Sequence, residues 1–153
     1  MINWQCLDFT QLTPTQLYAI IQARINVFVV EQTCPYPELD GKDTLIGVKH
    51  LLGTHDNKIV AYARLLPPGV SYPSVSIGRV LTDATCRGQR LGYQLMEQAL
   101  HQCENSWPGH NIEIGAQAHL THFYGKFGFT PSSAPYLEDD IPHIDMTLVK
   151  ADS

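Results

Sequence analysis

Two hydrophobic periods take turns along this chain. Residues 3 to 9 set Trp4, Cys6 and Asp8 against Gln5, Leu7 and Phe9, which predicts a first strand. Thr13-Pro14-Thr15-Gln16 then reads as a helix start, with a capping hydroxyl, proline at the first helical position and glutamine three residues after the cap. Leu17, Ile20, Ile21, Ile25 and Phe28 recur at helical spacing and predict one face packed on a core. Arg24 falls on that same stripe. Strands are predicted over Lys49 to Thr54 and Lys58 to Leu66, joined through His55-Asp56-Asn57 as an antiparallel hairpin. From Val75 the alternation returns with β-branched residues, and Arg87, Gly88, Arg90 and Gly92 then mark a helix start. The stripe of that helix is Leu91, Leu95, Met96, Ala99, Leu100 and Cys103, and it stops near Trp107-Pro108-Gly109. In the strand Asn111 to Gln117, Ile112, Ile114 and Ala116 face one way and Glu113, Gly115 and Gln117 the other. Strand, helix and strand then form a unit with parallel strands. A short helix over His119 to Phe127 and two strand candidates complete the chain. The last of these alternates Ile144, Met146 and Leu148 with His143, Asp145 and Thr147.

The loop Thr33 to Val48 carries Glu38, Asp40 and Asp43 without the regular spacing of a calcium loop, so it reads either as a solvated acidic surface or as an electronegative rim for a cationic substrate. Three arginines sit in apolar settings: Arg24 on the first helix, Arg64 among Ala61, Tyr62, Ala63 and Leu65, and Arg79 in the next strand. A guanidinium on a buried face must be paired or bound to an anion. Internal salt bridges and substrate contacts around a shared cleft are both open readings.

A length of 153 residues suits a single domain over 1–153, and 44% hydrophobic with 16% charged residues is a globular composition. The net charge of -5 argues against nucleic acid as a partner, because a phosphate backbone demands a basic face. Any anionic ligand then needs a local site, and Arg87 to Gly92 reads either as one, since glycines admit close approach to the backbone and a helix N-terminus offers unpaired N–H groups, or as an ordinary capped helix start. Cys6, Cys34, Cys86 and Cys103 contain no Cys-x-x-Cys pair and read as reduced thiols. No stretch is apolar enough to span a bilayer and no leader precedes the first strand, so the expectation is a cytoplasmic protein without a membrane partner. His119 and His122 lack a third ligand, so no metal is expected.

Two motifs give the chain a family resemblance. Arg87-Gly88-Gln89-Arg90-Leu91-Gly92 is similar to the acyl-CoA loop of the GNAT superfamily of N-acyltransferases, and Phe123-Tyr124-Gly125-Lys126-Phe127-Gly128-Phe129 to its short-helix signature. Val29-Val30-Glu31-Gln32, Cys34-Pro35-Tyr36, Ile77-Gly78-Arg79-Val80, Gly115 to His119 and Ile141-Pro142-His143-Ile144 resemble the ElaA-type branch. The resemblance implies an α/β (α+β) fold: a central mixed β-sheet flanked by helices, with parallel fourth and fifth strands splayed around acyl-CoA. It places backbone groups of Val80, Leu81 and Thr82 on the pantetheine and those of Gly88, Gln89, Arg90, Leu91, Gly92 and Tyr93 on the pyrophosphate, beside Arg87. Arg90 stands where most members carry glycine, and Gln117 where many carry a cofactor-binding asparagine.

The implied activity is transfer of an acetyl group from acetyl-CoA, the cosubstrate, to a small-molecule or peptide amine by direct attack. Tyr124 is the implied general acid and cofactor neighbour. Glu31 and His143 are the base candidates, and Arg24, Glu31, Arg64 and Arg79 the substrate-contact candidates. Two alternatives are an acyl-CoA sensor without turnover and an acyltransferase like the acyl-homoserine-lactone synthases, whose skeleton Arg24, Phe28, Arg64, Arg79 and the loop acids resemble. Monomer and homodimer are both compatible with the sequence.

Overall fold

The computed structural model describes residues 1–87 and 90–150. Its eight strands are β1 (Asn3–Asp8), β2 (Lys49–His55), β3 (Lys58–Leu66), β4 (Val75–Thr82), β5 (Ile112–Gln117), β6 (Thr130–Pro131), β7 (Tyr136–Glu138) and β8 (Ile141–Leu148). They join in one mixed sheet ordered β1-β2-β3-β4-β5-β8-β6, with β7 also paired to β8. Both hairpin turns place two acidic or amide residues in the left-handed region, Asp56 and Asn57 before β3 and Asp139 and Asp140 before β8. Asp and Asn tolerate that conformation best after glycine.

Helices α1 (Pro14–Arg24) and α2 (Leu91–Ser106) cover opposite faces, and a short α3 (Thr121–Gly125) follows β5. The α2 face holds the main core: Leu95, Met96 and Ala99 are fully buried against Leu51, Ala63, Val75 and Ile112. Each buried leucine there contributes about 1.5–3 kcal/mol, and Leu95→Ala would cost about 2–5 kcal/mol. On the other face Ile20 packs on Leu52, Tyr62 and Leu81.

Thr13 caps α1 reciprocally with Gln16, as its sequence predicts. The predicted stripe then fails at Ile25, which is exposed, while Val27 packs instead. The chain continues from Arg24 as a π-helix over Ile25–Glu31. A π turn holds more residues than an α turn, so the inward face shifts phase there. The predicted final helix is also shorter: Ala118–Leu120 is a 3₁₀ turn and only Thr121–Gly125 is α-helical.

Candidate active site

The parallel pairing of β4 and β5 lasts only two residues, Val75 with Ile112 and Ser76 with Glu113. Beyond that point β4 stays on β3 as far as Thr82, and β5 stays on β8 as far as Gln117. A bulge in β4 coincides with the divergence. Its register against β3 shifts between Tyr62 and Arg64, and the facing Arg79 has φ +52°. An extra residue raises the local twist and bends the strand, which turns β4 away from its neighbour. Gly115 records the result, because it is exposed in the middle of the sheet. A Cβ there would lie 3.1 Å from the Tyr136 hydroxyl and 3.2 Å from that of Tyr72. Its face is therefore covered, and its exposure comes from the opened strand edge. Backbone N–H and C=O groups along such an edge need water or an amide-bearing ligand as partners.

The N-terminus of α2 follows directly from β4 through the 3₁₀ turn Ala84–Cys86. Gly88 and Gln89, both candidates for cofactor contact, lie outside the described residues. Arg90 caps the helix in the left-handed conformation at φ +60°, with no side-chain cap bond. Its guanidinium turns outward and lies 5.0 Å from the centre of the Tyr93 ring. A backbone that favours glycine thus carries arginine, whose charge remains beside the free N–H groups of the first turn. No acidic residue occupies that turn. A Cβ at Gly92 would make only ordinary contact with Phe123, at 3.7 Å, so protein packing does not require this glycine. The open space and free donors suit a phosphate group.

Tyr124 is buried, and burial pushes its phenol up to about 12. Phe123 meets it edge-on at 5.2 Å and Phe129 at 6.2 Å. Gly128 makes the turn between them at φ +98°, which explains the Gly-Phe ending of this motif. The Tyr124 hydroxyl has no hydrogen-bond partner among the described residues, so it is a protonated donor with its proton uncommitted.

The two base candidates differ. Arg87 donates from both terminal nitrogens to the Glu31 carboxylate, one bond measuring 2.9 Å, and also to the Thr82 carbonyl at 3.0 Å. The hydrogen bond and charge of Arg87 hold the Glu31 carboxyl below its ordinary value, which weakens it as a base. His143 is buried on β8 opposite Gln117. Its Nδ1 lies 2.7 Å from the Ile141 carbonyl. A carbonyl only accepts, so Nδ1 carries a proton, and Nε2 lies 3.5 Å from a Glu138 carboxylate oxygen. Gln117 donates its amide to Gln32 at 3.3 Å, joining the end of the π-helix to the end of β5.

These features match a known family over most of the chain. The acetyltransferase (GNAT) domain model fits residues 24–150. Protein ElaA of Escherichia coli K12 is 47% identical over 146 residues, covering 95% of both chains. The chain belongs to the GNAT acetyltransferase family. Its fold is similar to a crystal structure of an acyl-CoA N-acyltransferase from Pseudomonas aeruginosa, with TM-score 0.93 and 46% identity, covering 96% of this chain and 99% of that one. The crystal structure of E. coli ElaA gives 0.91 and 46% with the same coverage. The mixed sheet with its short parallel β4–β5 pairing and flanking helices is the GNAT fold.

On the α1 side of this GNAT cleft the acidic loop is neither a solvated surface nor a row of free charges. Glu38 and Asp43 are buried, and the three arginines pair with the loop acids. Arg24 donates from Nε to Glu38 at 2.6 Å and from Nη1 to Asp43 at 2.6 Å, Arg64 meets Asp40 at 2.8 Å and Asp43 at 3.1 Å, and Arg79 meets Glu38 at 2.8 Å. Burial alone would raise the Asp40 carboxyl, but the bonds from Arg64 and the Lys42 backbone N–H, with the charges of Arg64 and Arg79, bring it well below the carboxylate range. Asp43 is likewise lowered, with Arg24 and Arg64 outweighing burial. His50 beneath them is held down chiefly by burial, bonded to the Tyr62 hydroxyl at 2.7 Å and the Asp43 carbonyl at 3.0 Å. Arg24 and Arg64 are thus sealed inside the network, with side-chain exposures of 1% and 4%, while Arg79 keeps 21% beside the bulge.

Sequence reasoning missed a second polar group, across the cleft. Tyr72 and Tyr136 both donate to Asp145 Oδ1, at 2.9 and 2.6 Å. The alternation along β8 signals Asp145, which falls on the polar face with His143, but nothing local joins it to Tyr72, 73 residues earlier. A concavity of about 580 Å³ between β1 and α2, lined by Trp4, His55, Cys86, Leu91 and Gln94 among others, includes neither β4 nor β5. No group of three or more metal-ligating side chains occurs among the described residues, and none of their helices is long and apolar enough to cross a membrane.

Proposed function

We propose that this protein is an acyl-CoA-dependent N-acyltransferase that moves an acetyl group from acetyl-CoA to a primary amine by direct attack. The open β4–β5 edge beside the α2 N-terminus carries this reading, because it pairs a slot for an extended amide chain with an anion site at one end. Acetyl-CoA supplies the activated acyl thioester when bound. Backbone groups of Val80, Leu81 and Thr82 line the slot, Leu91, Gly92 and Tyr93 offer first-turn N–H groups to the pyrophosphate, and the Gln117 amide closes the far strand. Tyr124 serves as the general acid that protonates the departing thiolate, since burial keeps its phenol protonated.

An alkyl ammonium, with a pKa near ~10, must lose a proton before attack. Of the two base candidates His143 fits better, directly or through one water, because the Nδ1 bond to the Ile141 carbonyl orients its ring and leaves Nε2 as the nitrogen that can exchange a proton. Glu31 is engaged by Arg87 and takes the role of positioning the loop. Arg79 is the arginine left to contact substrate, and Arg24 and Arg64 hold the loop that walls the acceptor side. Thiol release from acetyl-CoA, measured across a library of amines, tests the reading: turnover with at least one primary amine is expected. Tight CoA binding with no turnover on any amine would replace the transferase with a sensor.

A further inference from the structure

The acids that the sequence offers for a cationic acceptor are largely spoken for, since Glu38, Asp40 and Asp43 are matched by arginines. Asp145 is different. It has no cationic partner among the described residues, although its carboxylate is tightly held. Two phenols from separate segments, Tyr72 before β4 and Tyr136 on β7, converge on the single oxygen Oδ1. Burial and the bond to Asp145 raise both phenols, so both stay protonated donors. Oδ2 has no partner among the described residues.

The position is equally specific. Asp145 lies in register with Gly115, the mid-sheet residue exposed at the splay, on the same face. Tyr136, besides donating to Asp145, stacks on the His143 ring with centroids 6.0 Å apart. The carboxylate thus lies beside the exposed mid-sheet glycine and is joined through Tyr136 to the proposed base, with one oxygen fixed and the other available.

Resting on the acyl-transfer reading above, we infer that Asp145 selects the acceptor, receiving on Oδ2 a positively charged group other than the amine that is acylated. The attacking amine must be uncharged, and a neighbouring carboxylate would oppose its deprotonation. A carboxylate held in this way serves a group that keeps its charge throughout. The acceptor class is therefore a diamine, polyamine or basic amino compound, and a carboxylate in place of the second cation is repelled.

The test uses three acceptors that differ in one terminal group: 1,4-diaminobutane, 4-amino-1-butanol and 4-aminobutanoate. The full-length protein should give kcat/KM highest for the diamine and at least tenfold lower for the amino acid. Asp145→Asn should bring the three within about threefold while KM for acetyl-CoA stays unchanged, and Asp145→Glu should retain part of the preference. Equal kcat/KM for the three acceptors in the unmutated protein would overturn the inference without any variant having to fold. Calorimetric binding of N-acetyl-1,4-diaminobutane, which keeps only the second cation, provides a readout apart from turnover, and Asp145→Asn should weaken it about tenfold. Failure of acyl transfer with every amine removes the transferase reading, whereas transfer without charge preference removes only the role of Asp145.

Discussion

Arg87, the first residue of the anion loop, is held by the carboxylate of Glu31 at the end of the π-helix. Two segments 56 residues apart are tied at the place where a phosphate would approach, and the tie is electrostatic competition as well as support. Glu31→Gln should therefore tighten CoA binding, because it removes a negative charge and releases Arg87. The stability change should stay within about 1 kcal/mol, as expected for a pair this exposed. Titration calorimetry with CoA checks the affinity. A fall in kcat beyond tenfold would instead make Glu31 the base.

Tyr124→Phe should lower the acetylation rate roughly tenfold or more. Its hydroxyl has no partner among the described residues, so the same change should move stability by no more than about 0.5 kcal/mol. Steady-state turnover beside a denaturant titration separates the two effects, and unchanged turnover removes Tyr124 from the mechanism.

Gly92→Ala should stabilise the protein by up to about 1 kcal/mol, since alanine is the better helix former and its methyl meets only Phe123 at ordinary contact. CoA affinity should fall at the same time. A variant that melts higher and binds CoA as well as before would show that the pyrophosphate does not approach this position.

Arg24→Ala leaves the buried Glu38 and Asp43 carboxylates without their shared partner and should cost about 3–5 kcal/mol. Asp40 and Asp43 have native carboxyls below the ordinary range, so the unfolded chain takes up protons first as pH falls. Their stabilisation is complete above the unfolded value near ~4 and is lost as pH drops through the native values. Denaturant titrations at pH 7 and in acid should show this loss, with a shallower acid slope for Arg24→Ala.

Arg79 holds a left-handed conformation inside a strand. Both Arg79→Gly and Arg79→Ala lose the pairs to Glu38 and Asp40, but glycine accepts φ +52° without strain. The glycine variant should be about 1 kcal/mol more stable than the alanine variant and keep more turnover. Equal behaviour of the two would mean that the bulge relaxes once the ion pairs are gone.

The sequence by itself determined the elements that depend on local pattern: the alternating strands, the Thr13 cap, the α2 stripe and the two motifs whose resemblance points to an acyl-CoA cleft. These rest on periodicity and on short-range bonds, which a linear reading contains. Tertiary structure decided the rest. The π-helix rotated Ile25 outward, and Arg24 and Arg64 found loop acids 14 to 24 residues away. Two tyrosines met Asp145 over a glycine that the sequence marks only as a strand residue. Each of these outcomes depends on which charges and hydroxyls are brought together once water is excluded, and a buried guanidinium or carboxylate takes whichever partner the packed chain presents.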